Sequence, residues 1–236
     1  MQDFNFSTGE ILFIDKPFKW TSFDVVNKIR SLIKYQLGIK KLKMGHAGTL
    51  DPLATGLLIL CTGKFTKRID EYQGLEKEYT GTFILGATTP SFDLEKEIDN
   101  TFDISEITEQ QIRDAAKTFI GNIQQIPPVF SAKKINGERA YEFARKGIDV
   151  LMEAREVNIS EFEITKVALP EISFRIVCSK GTYIRSLARD LGLELNNGAY
   201  LSELKRIRIG EFSLDQALSL EKIEEAIVQQ KNRFVV

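Results

Sequence analysis

Two spacings of apolar residues alternate along this 236-residue chain and mark most of its elements. Val25, Val26, Ile29, Leu32 and Ile33 recur at helical intervals behind Ser22, a residue able to cap the helix. Thr108 and Gln111 form a capping box ahead of Ile112, Ala115, Ala116, Phe119 and Ile120, which predicts a second amphipathic helix stopped by Gly121. Ile184, Leu187, Ala188 and Leu191 draw a third stripe, ended by Gly192, and a last helix begins after Ser219. Strand patterns lie between them. Ile11 to Ile14 is short, and Leu57 to Cys61 is continuously apolar and leads through Thr62-Gly63 into a helix carrying Phe65, Ile69 and Tyr72. Residues 77–85 alternate, with Tyr79, Phe83 and Leu85 on one face; Ile172, Phe174, Ile176 and Cys178 alternate cleanly. Val157 to Ile164 slips phase once, which predicts a bulge, and Ile207 to Phe212 closes the set. These elements support an α+β fold and leave its topology open.

Composition narrows the class. With 43% hydrophobic and 28% charged residues, the chain has an ordinary globular balance and enough length for one large domain or two small ones. Its longest apolar run, Leu57 to Cys61, is far too short to cross a bilayer, and the N-terminus lacks the basic-then-apolar order of a secretory signal. Cys61 and Cys178, isolated in apolar runs, read as buried thiols suited to a reducing cytoplasm. One histidine and no cysteine pair at ligand spacing argue against a zinc site.

A net charge of -1 does not advertise nucleic-acid binding, but its distribution is uneven. Residues 28–43 hold Lys28, Arg30, Lys34, Lys40, Lys41 and Lys43 and no acid, whereas residues 93–114 hold eight acids against Lys96 and Arg113. Such segregation permits a basic RNA-facing side, although taken alone it reads first as solvated helix faces and loops.

The stretch Gly45-His46-Ala47-Gly48-Thr49-Leu50-Asp51-Pro52-Leu53-Ala54-Thr55-Gly56 carries the candidate chemistry. Its glycines allow tight turns, but the Gly-Lys-Ser/Thr ending of a phosphate loop is absent. Asp51 is open to two readings: a cap on a short turn, or a nucleophile or charge stabiliser presented beside a buried strand. The whole pattern resembles the catalytic loop of the TruB family of pseudouridine synthases, which isomerise uridine 55 in the T arm of tRNA. Further resemblances follow along the chain from Gly9 to about Leu220. Lys16-Pro17 followed by Thr21-Ser22 is similar to the family's first motif, with Lys19 where glycine is usual. Lys77-Glu78-Tyr79, Gly181-Thr182-Tyr183-Ile184-Arg185 and Leu201-Ser202-Glu203-Leu204-Lys205-Arg206 resemble later motifs.

The resemblance implies one pseudouridine synthase catalytic domain over residues 1–236, with a mixed central β-sheet, flanking helices and a catalytic cleft, and without an additional RNA-binding PUA domain. It implies Asp51 as nucleophile or base, Arg185 as its ion-pair partner, and Tyr79 as the ring stacked on the flipped uracil and a proton acceptor. Leu204 would line the base pocket, and His46 would fill the space the base leaves. Lys16 and Pro17 would have a structural and RNA-proximal role, and Lys205 and Arg206 would lie near phosphate. The threonine-rich loop at 86–93 departs from the family at Pro90 and receives no chemistry. Residues 124–150, with basic side chains from Lys133 to Lys146 and a short helix carrying Tyr141 and Phe143, resemble the family's mobile segment that closes on the RNA. The partner expected is a tRNA T-arm stem-loop, met by a cytoplasmic monomer. The isomerisation breaks C1′–N1 and joins C5 to C1′ with no oxidation and no donated group, so neither cofactor nor metal is expected. An RNA chaperone that needs no chemistry, an N-glycosidic hydrolase and a guide-RNA-dependent synthase are the competing readings.

Overall fold

A computed structural model of the chain describes residues 4–130, 134–135, 138–139 and 152–234. It divides into two compact units, residues 1–79 with 205–236, and residues 80–204.

In the first unit, β1 (Ile11–Lys16) pairs antiparallel with β3 (Ala54–Thr62), Leu12 opposite Leu60 and Ile14 opposite Leu58. The short strand β2 (Met44–His46) pairs along another part of β3. Helix α1 (Ser22–Leu37) buries Val25, Val26, Ile29, Leu32 and Ile33, the stripe read from its spacing. Its cap differs from expectation. Thr21, not Ser22, is the N-cap and exchanges hydrogen bonds with Asp24 in a capping box, which leaves the Ser22 hydroxyl for another task. The helix expected after Gly63 divides into a 3₁₀ turn (Gly63–Arg68) and α2 (Ile69–Gly74). The β1 and β3 side chains Leu12, Ile14, Leu58 and Leu60 meet the α1 stripe and Ile223 and Ile227 of the C-terminal helix, α5 (Leu220–Phe234), in one core.

The second unit is built on β4 (Lys77–Leu85), β10 (Arg155–Ala168), β11 (Glu171–Cys178) and β12 (Ala199–Ile209); β4 and β12 each contribute residues to both units. Its strand order is β12-β4-β11-β10-β7, with β7 at Gly121–Gln125, while in the first unit the order is β1-β3-β12. Small pairs complete the strands: β5 (Ala87–Thr88) with β6 (Asn100–Thr101), β8 (Lys134–Ile135) with β9 (Glu138–Arg139), and β13 (Phe212–Ser213) with β12. The phase slip in β10 is real: its register against β11 shifts between Ile159 and Glu161 and again between Ile164 and Lys166. Phe83 stacks on Phe174 at 4.1 Å between ring centroids, with Phe162 edge-on.

Helix α3 (Glu109–Lys117) has the predicted Thr108–Gln111 box but ends before Phe119 and Ile120, which lie in a turn leading to Gly121. Helix α4 (Ile184–Glu194) runs two residues past Gly192, which was expected to end it. A side chain there would place its Cβ 2.5 Å from the Ala199 nitrogen, so this glycine serves close packing rather than termination. Cys61 and Cys178 are buried, as read. The proposed helix with Tyr141 and Phe143, and most of the 124–150 segment, lie outside the described residues. No helix among the described residues is long and apolar enough to cross a membrane.

Candidate active site

Asp51 stands on the connection from β2 to β3, and the connection is anchored from four other places in the first unit. The Ala54 N–H donates to the Asp51 carbonyl at 3.1 Å, closing a turn with Pro52 at its second position, where the fixed φ of proline suits it. The Ser22 hydroxyl donates to the Leu50 carbonyl at 3.2 Å and accepts from the Leu50 N–H at 2.9 Å. Lys16, fully buried at the end of β1, directs Nζ to the carbonyls of Pro52 (3.3 Å), Pro17 (3.0 Å) and Trp20. The Lys19 N–H reaches the same Pro52 carbonyl at 2.9 Å. From β12, the Arg206 guanidinium donates Nε to the Leu57 carbonyl at 2.8 Å and Nη2 to the Gly48 carbonyl at 3.1 Å. Gly56, at φ 100°, lets β3 lie directly on the Arg206 backbone; a Cβ there would collide with the Arg206 carbonyl. The half-buried Asp51 carboxylate therefore rides on a backbone whose carbonyls are held on both sides.

This geometry revises one expected role. Arg206 was expected near phosphate, but only 1% of its surface is exposed and its guanidinium is directed at loop carbonyls, which makes it a strut of the Asp51 loop. Its neighbour Lys205 is exposed and borders a cavity of about 290 Å³ with Lys16, Pro17, Ser219 and Glu221. For Lys16 the structural half of the expectation is what the hydrogen bonds display, and Pro17 is half-buried in the same wall.

The electrostatics follow from burial. Lys16 is pulled down to about 8, chiefly because burial penalises its charge; Asp51 opposes that shift and Arg206 adds to it. His46, half-buried at the end of β2, is held below the usual histidine range by burial and then by Arg206, so its imidazole is neutral near pH 7. Its Nδ1 is buried without a hydrogen-bond partner among the described residues. Tyr79 sits in β4 and is 8% exposed.

In the second unit the central group is Arg185, in the first turn of α4. Tyr183 precedes the helix without a side-chain cap, and Gln125 at the end of β7 supplies one: its Oε1 accepts from the Tyr183 N–H at 2.8 Å and its Nε2 donates to the Tyr183 carbonyl at 3.1 Å. Ser186 adds a bond to the Ile126 carbonyl at 2.9 Å. Arg185, 4% exposed, donates Nη1 to the carbonyls of Phe130 (3.0 Å) and Ser91 (3.3 Å), and its Nε lies 3.5 Å from Asp93 Oδ2. Asp93 is itself 3% exposed. The loop that brings it there is folded by its own side chains, with Thr89 Oγ1 donating to the Asp93 carbonyl at 2.7 Å. Asp93 is a buried partner of Arg185 that the sequence reading missed, in the 86–93 loop to which it gave no chemistry. Leu204 is half-buried in β12.

No group of three or more histidine, cysteine, aspartate or glutamate side chains among the described residues is placed to hold a metal ion.

Comparison with known proteins identifies the class first. Residues 34–184 match the N-terminal domain of TruB family pseudouridylate synthase, and residues 185–235 match the tRNA pseudouridylate synthase B C-terminal domain. The fold recurs in two solved structures. A Cbf5-Nop10-Gar1 complex aligns with a TM-score of 0.70 and 27% identity, covering 96% of this chain and 60% of that one. An H/ACA RNP bound to a substrate RNA containing 2′-deoxyuridine aligns at 0.69 and 26%, covering 98% of this chain and 57% of the other. The chain thus spans about three-fifths of each solved chain. Curated relatives match end to end. The tRNA pseudouridine synthase B of Phocaeicola vulgatus is 58% identical over 98% of this chain and 99% of the relative. That of Flavobacterium johnsoniae is 56% identical over 93% and 96%. The chain belongs to the TruB family of pseudouridylate synthases.

Proposed function

We propose that this protein is a tRNA pseudouridine(55) synthase, acting in the cytoplasm on the T-arm stem-loop. One observation carries the reading: the carboxylate at the centre of the family motif, Asp51, stands on a turn fixed by side chains and backbone from four other segments. A group that must meet one sugar carbon of an extruded nucleotide needs that fixity, because small misplacements of a reacting group cost large factors in rate. The near-complete match to relatives named tRNA pseudouridine synthase B supports the choice of substrate.

In this proposal the target uridine is turned out of the T loop into the enzyme, as enzymes that act on a base inside a folded nucleic acid require. Asp51 either attacks C1′ or starts an elimination through C2′, and C1′–N1 breaks. The uracil turns, C5 bonds to C1′, the C5 proton leaves and N1 takes one up, so the product has the mass of the substrate. Tyr79 offers its ring to the uracil and its oxygen to the departing C5 proton. Leu204 is the apolar wall of the base pocket. Arg185 supplies the counter-charge to Asp51. His46, neutral and with Nδ1 unpartnered among the described residues, fills the space the base vacates and has a ring nitrogen to offer the opened loop. Pro17 and Lys205 lie toward the RNA.

Tritium release from C5 of uridine in unmodified tRNA tests the scheme. Asp51→Asn is expected to lower turnover by about 10⁴-fold, the scale of losing a group that acts on the reacting atoms, while tRNA binding stays measurable. Persisting turnover removes Asp51 from the chemistry, and free uracil in the product would convert the reading to N-glycosidic hydrolysis.

A further inference from the structure

The turn between β1 and α1 departs from the family motif at one residue, and the departure carries a cost. Lys19 occupies the position where glycine is usual, yet its backbone keeps the glycine conformation, at φ 65°. A residue with a Cβ is strained there, and glycine would relieve the strain. The conformation is imposed from below. The Lys19 N–H is bonded to the Pro52 carbonyl, and Lys16 Nζ binds that same carbonyl together with those of Pro17 and Trp20. The turn is therefore locked to the residue that follows Asp51.

What the strained residue displays is an exposed cation beside an exposed ring. Lys19 Nζ lies 5.7 Å from the centroid of Phe18, and 52% of the Phe18 surface is open to solvent. The next aromatic in the chain behaves differently: Trp20 packs against the α1 core. Phe23, in the first turn of α1, is 60% exposed. The Asp24 carboxylate accepts from the Thr21 N–H and hydroxyl within the capping box. A half-exposed aromatic ring and a lysine held at positive φ are each unfavourable for the isolated fold. The pair makes sense as a contact for something that offers both a π-face and a negative charge.

We propose that Phe18 and Lys19 form an RNA-binding element at the rim of the Asp51 loop. Phe18 stacks on an unpaired T-loop base next to the target uridine, and Lys19 contacts the adjoining phosphate. The inference rests on the proposed function and adds a substrate contact to it. It differs from the family resemblance, because the cation stands where that motif has none.

The discriminating variant is Lys19→Gly, which places at φ 65° the residue that adopts it without strain. Its thermal midpoint is expected to equal or exceed that of the wild-type protein. Its Kd for an unmodified T-arm hairpin is expected to weaken by about three- to tenfold, and the slope of log Kd against log salt to fall by about 1. Phe18→Ala is expected to weaken Kd by about tenfold with the salt slope unchanged, as loss of stacking requires. Stability and affinity moving in opposite directions is a result that a merely structural residue does not produce. A Lys19→Gly protein with wild-type Kd and wild-type salt slope would overturn the assignment. Turnover by the wild-type enzyme on the same hairpin separates the two claims, since its absence refutes the proposed function and not the binding element alone.

Discussion

The two polar centres of this protein satisfy buried charge in different ways. Around Asp51 the buried cations Lys16 and Arg206 are turned toward backbone carbonyls, three for Lys16 and two for Arg206. Around Arg185 two carbonyls are joined by a buried carboxylate, Asp93. Carbonyl dipoles stabilise a cation without adding a second charge that must itself be desolvated, and in return the cation fixes the loop that carries them. A buried ion pair instead couples the two partners so that neither is tolerated alone. The first arrangement orders a backbone; the second holds a side chain. The Asp51 loop is held in the former way, and Arg185, in the first turn of α4, in the latter.

The comparison can be broken most forcefully at Asp93. Asp93→Ala leaves Arg185 buried beside two carbonyls without this carboxylate, and unfolding free energy is expected to fall by about 3–5 kcal/mol. Urea denaturation measures it, and a loss below about 1 kcal/mol would show that the carbonyls suffice and that the two centres do not differ. Arg206→Met comes next. It keeps most of the aliphatic bulk but leaves the Gly48 and Leu57 carbonyls without the guanidinium, at a cost of about 2–3 kcal/mol. Because the damage falls on the Asp51 loop, turnover should drop by about 10²-fold while tRNA affinity changes little. A loss of affinity with normal turnover would return Arg206 to the phosphate role expected from its motif. Ser22→Ala removes one strut and should cost about 1–2 kcal/mol, with a smaller loss of turnover.

The same contrast explains what could be read along the chain. The Asp51 loop is a contiguous run with its glycines in place, and the α1 stripe and the Thr108 box are local patterns that local rules detect. Asp93 is a different case, since nothing within a dozen residues of either partner marks it as belonging with Arg185; only the folded chain brings the 86–93 loop to the first turn of α4. The role of Arg206 was within reach. Leu204, Lys205 and Arg206 lie on β12, where sides alternate, so Lys205 and Arg206 could not both face solvent. The exposed Lys205 and buried Arg206 follow from that period. Thr21 and Ser22 are equivalent as caps by chemistry, and the deciding signal was Asp24, three residues after Thr21 and completing its box. Gly192 was misread because a glycine near a helix end suggests a stop, whereas here Ala199 lies against it.

The last expected effect sharpens the contrast by sign. Lys16 titrates in the folded protein at about 8, below the ordinary 10.5, because burial disfavours its charge more than the Asp51 field restores it. Below pH 8 both folded and unfolded chains carry the proton, and the full penalty of burying the ammonium is present. Between about 8 and 10.5 the unfolded chain holds more proton than the folded one, so stability from this group rises with pH. The difference in unfolding free energy between wild type and Lys16→Met is therefore expected to stay flat up to pH 8. It should then move in favour of the wild type up to pH 10.5, by about 3 kcal/mol, the size that a fall from 10.5 to about 8 carries. Arginine stays charged throughout this range, so the Asp93→Ala difference should show no such movement. Urea titrations of both variants at half-unit steps from pH 7 to 10.5 make the test. A Lys16→Met difference that is flat across the range would mean that the ammonium is solvated, and the Asp51 loop would then be held by Arg206 and Ser22 without a buried lysine beneath it.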